Sequence, residues 1–276
     1  MRKCVIHFGW IVLFCMILFN EISANENDIC NQFSRGLGSS EYQLQTGDLI
    51  IWASGDMDSV IIQKFTEGDY SHVGMIWIDP INRLWLVDVH PGLGLRRQLL
   101  DDFLIHQRNK LVAIAAIRFK GELDREEIKR RIEMFWQRKD QISFDQGFAI
   151  EPDMNYASLL EGKAIRLYCT EFVYFVYEGA SSGAKIFVND YDRVYEKKNI
   201  FEKIQNLDQD IINEFQFWLG IKPVEQFQIW LTSHQVQVLL SVNGMLRTGS
   251  YEFVYEMKDK SSLKPGAKKF LELDIK

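Results

Sequence analysis

The sequence predicts an α+β fold in which a central antiparallel sheet packs against a helix that begins at a cysteine. Three observations carry this expectation. His72–Ile78 and Leu84–His90 are mostly apolar segments separated by Asp79-Pro80-Ile81-Asn82, whose turn chemistry folds one back on the other. Val112–Phe119 is apolar nearly throughout and too short for a long buried helix, so it reads as a third strand. Cys169–Glu178 places Phe172, Val173 and Val176 on one helical face and stops at Gly179.

The remaining elements follow in chain order. Arg2 and Lys3 precede an apolar run from Val5 to Phe19, and Ser23-Ala24 is a small-residue exit, so residues 1–24 read as a secretory signal peptide cleaved after Ala24. An uncleaved anchor is the alternative, but the run is short for a bilayer span of about 20 residues. Residues 25–45 are polar and read as an irregular lead-in. Gly47-Asp48 makes a turn into the buried strand Leu49–Trp52, and Ser54-Gly55-Asp56 breaks it. Residues 58–66 read as a helix, with Asp56 or Asp58 as N-cap and Gly68 near its stop.

Asp124, with Glu127 three residues on, opens another helix. Ile128, Ile132 and Phe135 form its buried stripe, and Lys129, Arg130, Arg131 and Glu133 read as its solvated face. Residues 140–166 look loop-rich. Beyond 185 the pattern weakens: Asp208–Gly220 suggests a helix, and Val236–Val242 and Tyr251–Met257 suggest strands around an Asn243-Gly244 turn. The organisation expected is a signal at 1–24, a main globular domain at 25–184, and a C-terminal extension at 185–276 that either stands apart or completes the same domain.

Composition narrows the function classes. With 276 residues, 47% hydrophobic and 25% charged, the chain can bury a sizeable core, and disorder is a poor description. Losing residues 1–24 takes the formal charge from -6 to -7, with acids scattered and no basic face, so a nucleic-acid partner is not expected. The same cleavage removes Cys4 and Cys15 and leaves Cys30 and Cys169. Two cysteines cannot make a disulfide-rich scaffold or a zinc site of several thiolates. They can form one bridge, or stay free.

The chemistry centres on Cys169 and His72. A thiol at a helix start meets unpaired backbone N–H groups and the positive end of the dipole, which favour its thiolate. His72 opens a strand and can supply a base. A base needs an orienting group on its far nitrogen, and the partner strand offers Asp88 between Val87 and Val89, where a carboxylate is costly without a companion. Asp88 falls almost opposite residues 73–74 once the hairpin is closed. His90, ending that strand, is the rival.

The residues Gly47-Asp48-Leu49-Ile50, Tyr70-Ser71-His72-Val73-Gly74 and Tyr168-Cys169-Thr170-Glu171-Phe172-Val173 together resemble the permuted branch of the NlpC-type papain-like superfamily, the YiiX/YebB-like amidases. Leu99-Leu100-Asp101-Asp102-Phe103 is similar to the segment after that family's third catalytic position. The resemblance covers roughly residues 44–180, with the histidine strand ahead of the cysteine helix. It implies a circularly permuted papain-like fold with Cys169 as nucleophile, His72 as base and Asp88 where relatives often have glutamate. Two departures stand out: Asp88 is one methylene shorter, and Phe144-Asp145 stands where relatives carry Tyr-Asp, removing a phenol.

The implied activity is that of an exported, periplasmic or secreted cysteine amidase working through an acyl-enzyme on an amide of a small peptide or acyl-amide in the cell envelope. No metal or organic cofactor is required. Lipid acyl chemistry of the lecithin–retinol acyltransferase-like kind is an alternative that brings lipid contact. A non-catalytic binding module on the same fold is another.

Overall fold

Alternating apolar residues build a sheet with both faces covered. The computed structural model describes residues 29–37, 43–145, 161, 164–181, 185–190, 239–259, 263, 267–268 and 271. Among them, strands β1 (Leu49–Ser54), β2 (His72–Ile78), β3 (Leu84–His90), β4 (Gly94–Leu99), β5 (Leu111–Phe119) and β8 (Tyr251–Lys258) form one six-stranded sheet. Its order is β4-β3-β2-β1-β5-β8, and every neighbouring pair is antiparallel. The mixed α+β architecture with a central antiparallel sheet is therefore as expected.

Strand alternation sorts side chains into two clusters. Leu49, Ile51, Val73, Met75, Val87 and Val89 face the helices α4 (Arg125–Gln137) and α5 (Cys169–Glu178). Ile50, Trp52, Ile76 and Leu86 face α1 (Ile29–Leu37) and α3 (Leu100–His106). Helix α2 (Met57–Thr66) links β1 to β2. Phe172, Val173 and Val176 of α5 are all fully buried. Each such side chain contributes about 1.5–3 kcal/mol by leaving water, so this stripe anchors the helix to the sheet.

The structure departs from the sequence reading in several places. Residues 29–37 of the expected lead-in form α1, whose narrow stripe of Ile29, Cys30 and Phe33 is buried. Strand β4 was not expected; Gly92 and Gly94 adopt positive φ and turn the chain back from β3. The loop-rich stretch 140–166 contains β6 (Ile142–Phe144) and β7 (Ile165–Leu167), a short parallel pair.

Arg131 does not lie on a solvated face. It is buried beside Ile128, Ile132 and Phe135, and its guanidinium donates to the Phe175 carbonyl at 2.7 Å and to Glu127 at 2.7 Å. Gly179 makes room for it, since a Cβ there would sit 1.6 Å from Arg131 Nη2. A charged head with a carbonyl and a carboxylate in reach can be buried with its stem.

Val242 begins a helix, α6 (Val242–Arg247), instead of ending a strand, and Asn243-Gly244 lies inside that helix instead of forming a turn. Ser241 caps it by accepting from Gly244 N–H at 2.8 Å. The Asn243 amide donates to Thr66 Oγ1 and to the Tyr70 carbonyl, tying α6 to the end of α2. Strand β8 therefore pairs with β5 and closes the sheet edge. The signal at 1–24 and the helix at 208–220 lie outside the described residues. Among the described residues, no helix is long and apolar enough to cross a membrane.

Candidate active site

The β2–β3 ladder pairs Met75–Ile78 with Leu84–Val87 and stops there, although both strands run on to His72 and His90. Continued, the same register would set Gly74 opposite Asp88 and His72 opposite His90. β3 keeps its other partner, β4, up to His90↔Gly94. The sheet thus opens between β2 and β3 at one end, and the N-terminus of α5 meets it there.

Cys169 is the first residue of α5 and is buried. Its thiol lies in hydrogen-bonding relation to the Val73 backbone N–H, with the N–H groups of Thr170 and of Cys169 itself also favouring its anion. Burial outweighs them: desolvation, with a smaller contribution from Asp88, pushes the thiol up to about 12. Cys169 is therefore a protonated thiol at neutral pH, held among backbone donors that become favourable when charge develops on sulfur or on a nearby oxygen.

The helix start is fixed from both directions. The Tyr168 backbone N–H donates to Glu171 Oε2 at 3.0 Å. The Tyr168 hydroxyl accepts from Leu240 N–H at 3.1 Å, and Thr170 Oγ1 donates to the Leu240 carbonyl at 3.0 Å. One residue from beyond position 185 is thus gripped by both neighbours of the cysteine. Nothing in the weak pattern of residues 236–242 announced this.

His72 sits at the open end of β2, partly buried, with its ring stacked on Trp52 at 5.7 Å between centroids. Trp52 is its cross-strand partner on β1 and leans on Phe103 of α3. The chain leading to His72 is held by Ser71, whose hydroxyl meets Ser59 Oγ at 2.5 Å and whose N–H donates to the Trp52 carbonyl. Desolvation, helped by nearby His90 and Arg96 and opposed by Asp88, lowers His72 to about 4. The imidazole is neutral at pH 7 and can accept a proton.

Asp88 lies where the hairpin register places it, and it is buried. Both of its oxygens are taken by Arg96, the residue opposite it on β4: Nε donates at 2.9 Å and Nη2 at 2.7 Å. Among the described residues, no hydrogen bond joins Asp88 to the His72 ring, and none joins that ring to the Cys169 thiol. His90 Nδ1 meets the Pro91 carbonyl at 2.8 Å, which makes that nitrogen the donor. Phe144 pairs with Leu167 in the short parallel sheet, two residues before the cysteine, and packs against the cluster that contains Cys169.

The sequence matches no protein-family model, and no curated protein matches it. Among solved structures it is similar to one described as the metalloprotein YiiX from Escherichia coli O157:H7, at 18% identity and a TM-score of 0.49, over 78% of this chain and 99% of that one. The likeness is too distant to assign any residue its role. Metal binding is said of that protein; among the described residues here, no three His, Cys, Asp or Glu side chains are grouped so as to hold a metal ion.

Neither Cys30 nor Cys169 is in a disulfide. They belong to clusters on opposite faces of the sheet, which keeps them apart without any special device. Sequence reasoning missed Arg96, Val73 N–H, Trp52 and Leu240. Only Arg96 left a usable signal, because a carboxylate between two valines calls for a cation, and the Pro91-Gly92-Leu93-Gly94 turn carries Arg96 back to it.

Proposed function

We propose that this chain is an exported thiol hydrolase with a circularly permuted papain-like (NlpC-type) fold, of the YiiX/YebB-like amidase kind. Cys169 is the nucleophile, His72 the base and Asp88 the nearby carboxylate. The substrate class is an amide of a small peptide or acyl-amide in the cell envelope. The observation that carries the reading is the seat of Cys169: a helix-start thiol against Val73 N–H, at the point where β2 parts from β3 beside His72.

The chemistry is acyl transfer from a neutral pair. As Cys169 Sγ bonds to the substrate carbonyl carbon, its proton passes to the free imidazole nitrogen of His72. The carbonyl oxygen gains the electron pair, and the N–H groups of Cys169 and Thr170 lie at the helix start to stabilise it. Collapse breaks the C–N bond, and His72 returns its proton to the departing amine. Water then attacks the thioester with His72 as base, releasing the acid and restoring the thiol. The His72 ring stacks on Trp52 on the α1/α3 side of the sheet, whereas Cys169 lies on the α5 side, so the ring must swing past the open end of β2 to meet the thiol.

The test uses reduced, folded protein and a cysteine-directed electrophile, with the site read by peptide mass spectrometry. Cys169 labels faster than Cys30; both thiols are buried, so the difference reports the helix start and the Val73 N–H beside Cys169 and not exposure. Cys169→Ala loses labelling and at least about 10³-fold of amide turnover while keeping its circular dichroism spectrum. Turnover that survives in Cys169→Ala overturns the reading. Absence of labelling at Cys169 favours the binding module. A fatty acyl mass on the trapped thioester, in place of a peptidyl one, turns the assignment to lipid acyl chemistry.

A further inference from the structure

Arg96 lies outside the set Cys169, His72 and Asp88, yet it holds more of that set's polar atoms than any member does. Its fork takes both oxygens of Asp88 side-on, the arrangement in which a guanidinium is hardest to replace. The pair is inside the protein: the Asp88 side chain is 2% exposed and that of Arg96 19%. Asp88 and Arg96 are direct cross-strand partners, so the β3–β4 register itself sets the contact.

A carboxylate can serve an imidazole only through an oxygen it can spare. Each oxygen keeps a second lone pair beside the fork, but among the described residues neither makes a hydrogen bond to His72, and the fork adds a positive charge near the ring. The groups around His72 come from every element packed on it. Trp52 covers one side from β1, Asp88 and His90 approach from β3, and Arg96 from β4, while Cys169 of α5 shares Asp88 as a neighbour. Asp58, in the first turn of α2, faces His90. Arg96 is the one cation among them that carries its charge at every pH of interest.

We infer that Arg96 is a positioning residue of the site: by occupying both oxygens of Asp88 it keeps that carboxylate off His72 and keeps the imidazole neutral, so that the ring acts as a base toward a thiol instead of forming a standing ion pair. Release of Asp88 from the fork would let it turn to the ring from the neighbouring strand and favour imidazolium. The inference rests on the proposed pairing of Cys169 with His72, and the experiment separates the two.

The readout is the titration of the His72 ring, followed by NMR of histidine-labelled protein and assigned by loss of its signal in His72→Gln. The wild-type midpoint is expected near 4, where burial holds the ring neutral. Arg96→Gln raises it by about 1–3 units, the effect of an opposite charge coming within contact distance. Arg96→Lys keeps the charge but not the fork and moves the midpoint up by less; it also serves if Arg96→Gln does not fold. A merely structural arginine would lower the melting temperature and leave the midpoint in place. Midpoints that coincide in wild type and in the folded arginine variants overturn the inference. Amide turnover addresses the underlying reading: a rate in His72→Gln equal to that of wild type overturns the pairing of Cys169 with His72, whatever the midpoint does in the arginine variants.

Discussion

The two ends of the β2–β3 hairpin are made from similar residues and behave in opposite ways. At the turn end, one carboxylate satisfies everything around it. Asp79 accepts from the N–H groups of Ile81 and Arg83, from Arg83 Nε at 2.7 Å and from Trp85 Nε1 at 3.0 Å. Burial works to raise the Asp79 carboxyl, but the bonds from Trp85, Arg83 and Ile81 outweigh it and hold it well below the usual range. At the open end the ladder is broken, Val73 N–H turns to a thiol, and His72 and Cys169 are both driven to their neutral forms by burial. Polar groups at one end are matched to the charged state, and at the other they are left ready to change state. The first pattern is that of a structural turn. The second, an acid and a base both held neutral by burial, marks a candidate functional site.

The largest effect expected on this contrast comes from Gly94, which closes the β3–β4 turn at the open end. Its φ is +67°, and a Cβ there would lie 2.1 Å from the Ile142 carbonyl oxygen, a backbone atom that cannot step aside. Gly94→Ala should cost about 2–4 kcal/mol from left-handed strain and overpacking together, read as a lower midpoint in urea. The same shift moves Arg96 and should lower Cys169 labelling out of proportion to the stability lost. A variant as stable as wild type would show that β4 and β6 do not brace this end.

Asp79→Asn comes next and acts on the turn end alone. The amide keeps one acceptor and turns a donor toward the Arg83 and Trp85 donors, so the urea midpoint falls. Because the folded carboxyl is held below its unfolded value of 3.8, its contribution is present above about pH 4 and disappears as pH falls further. The variant should therefore lose part of the acid-dependent decline that wild type shows below that pH. An unaltered acid limb would place the stabilising charge elsewhere. Cys169 labelling should not change, and any change would join the two ends that the geometry separates.

How far the sequence could be read follows the same division. Strong periodicity fixed β2 and β3 to the residue and placed the start of α5 at Cys169, because those segments are apolar and bounded by turn residues. The faces were readable too, since alternation alone puts Val73 and Met75 on the α5 side. What escaped depended on distant partners. Arg131 looked solvated because only the fold brings the Phe175 carbonyl and the space above Gly179 to it. Residues 239–241 looked like a strand because their real role, holding the start of α5 through Leu240, uses backbone groups that have no sequence signature. Asp88 was placed correctly in register, but its engagement by Arg96 required a strand, β4, that two glycines with positive φ create.

The smallest effect belongs to His72 itself. Its folded value near 4 lies below the 6.5 of a free imidazole, so the unfolded chain binds a proton that the folded one refuses between those limits. The unfolded state then gains protons as pH falls, and stability declines from pH 6.5 toward 4 and levels off below. Only one ring is involved, so the slope cannot exceed about 1.4 kcal/mol per pH unit, and its partial exposure lowers it further. His72→Gln abolishes the group, and its urea midpoint should be flatter than that of wild type between pH 6.5 and 4, while the two curves run parallel above pH 7. The window lies above the range in which Asp79 is lost, so the two ends of the hairpin can be titrated separately in one protein. A wild-type midpoint that stays level from pH 6.5 to 4 would mean that His72 is not held neutral, and the proposed neutral base would be absent.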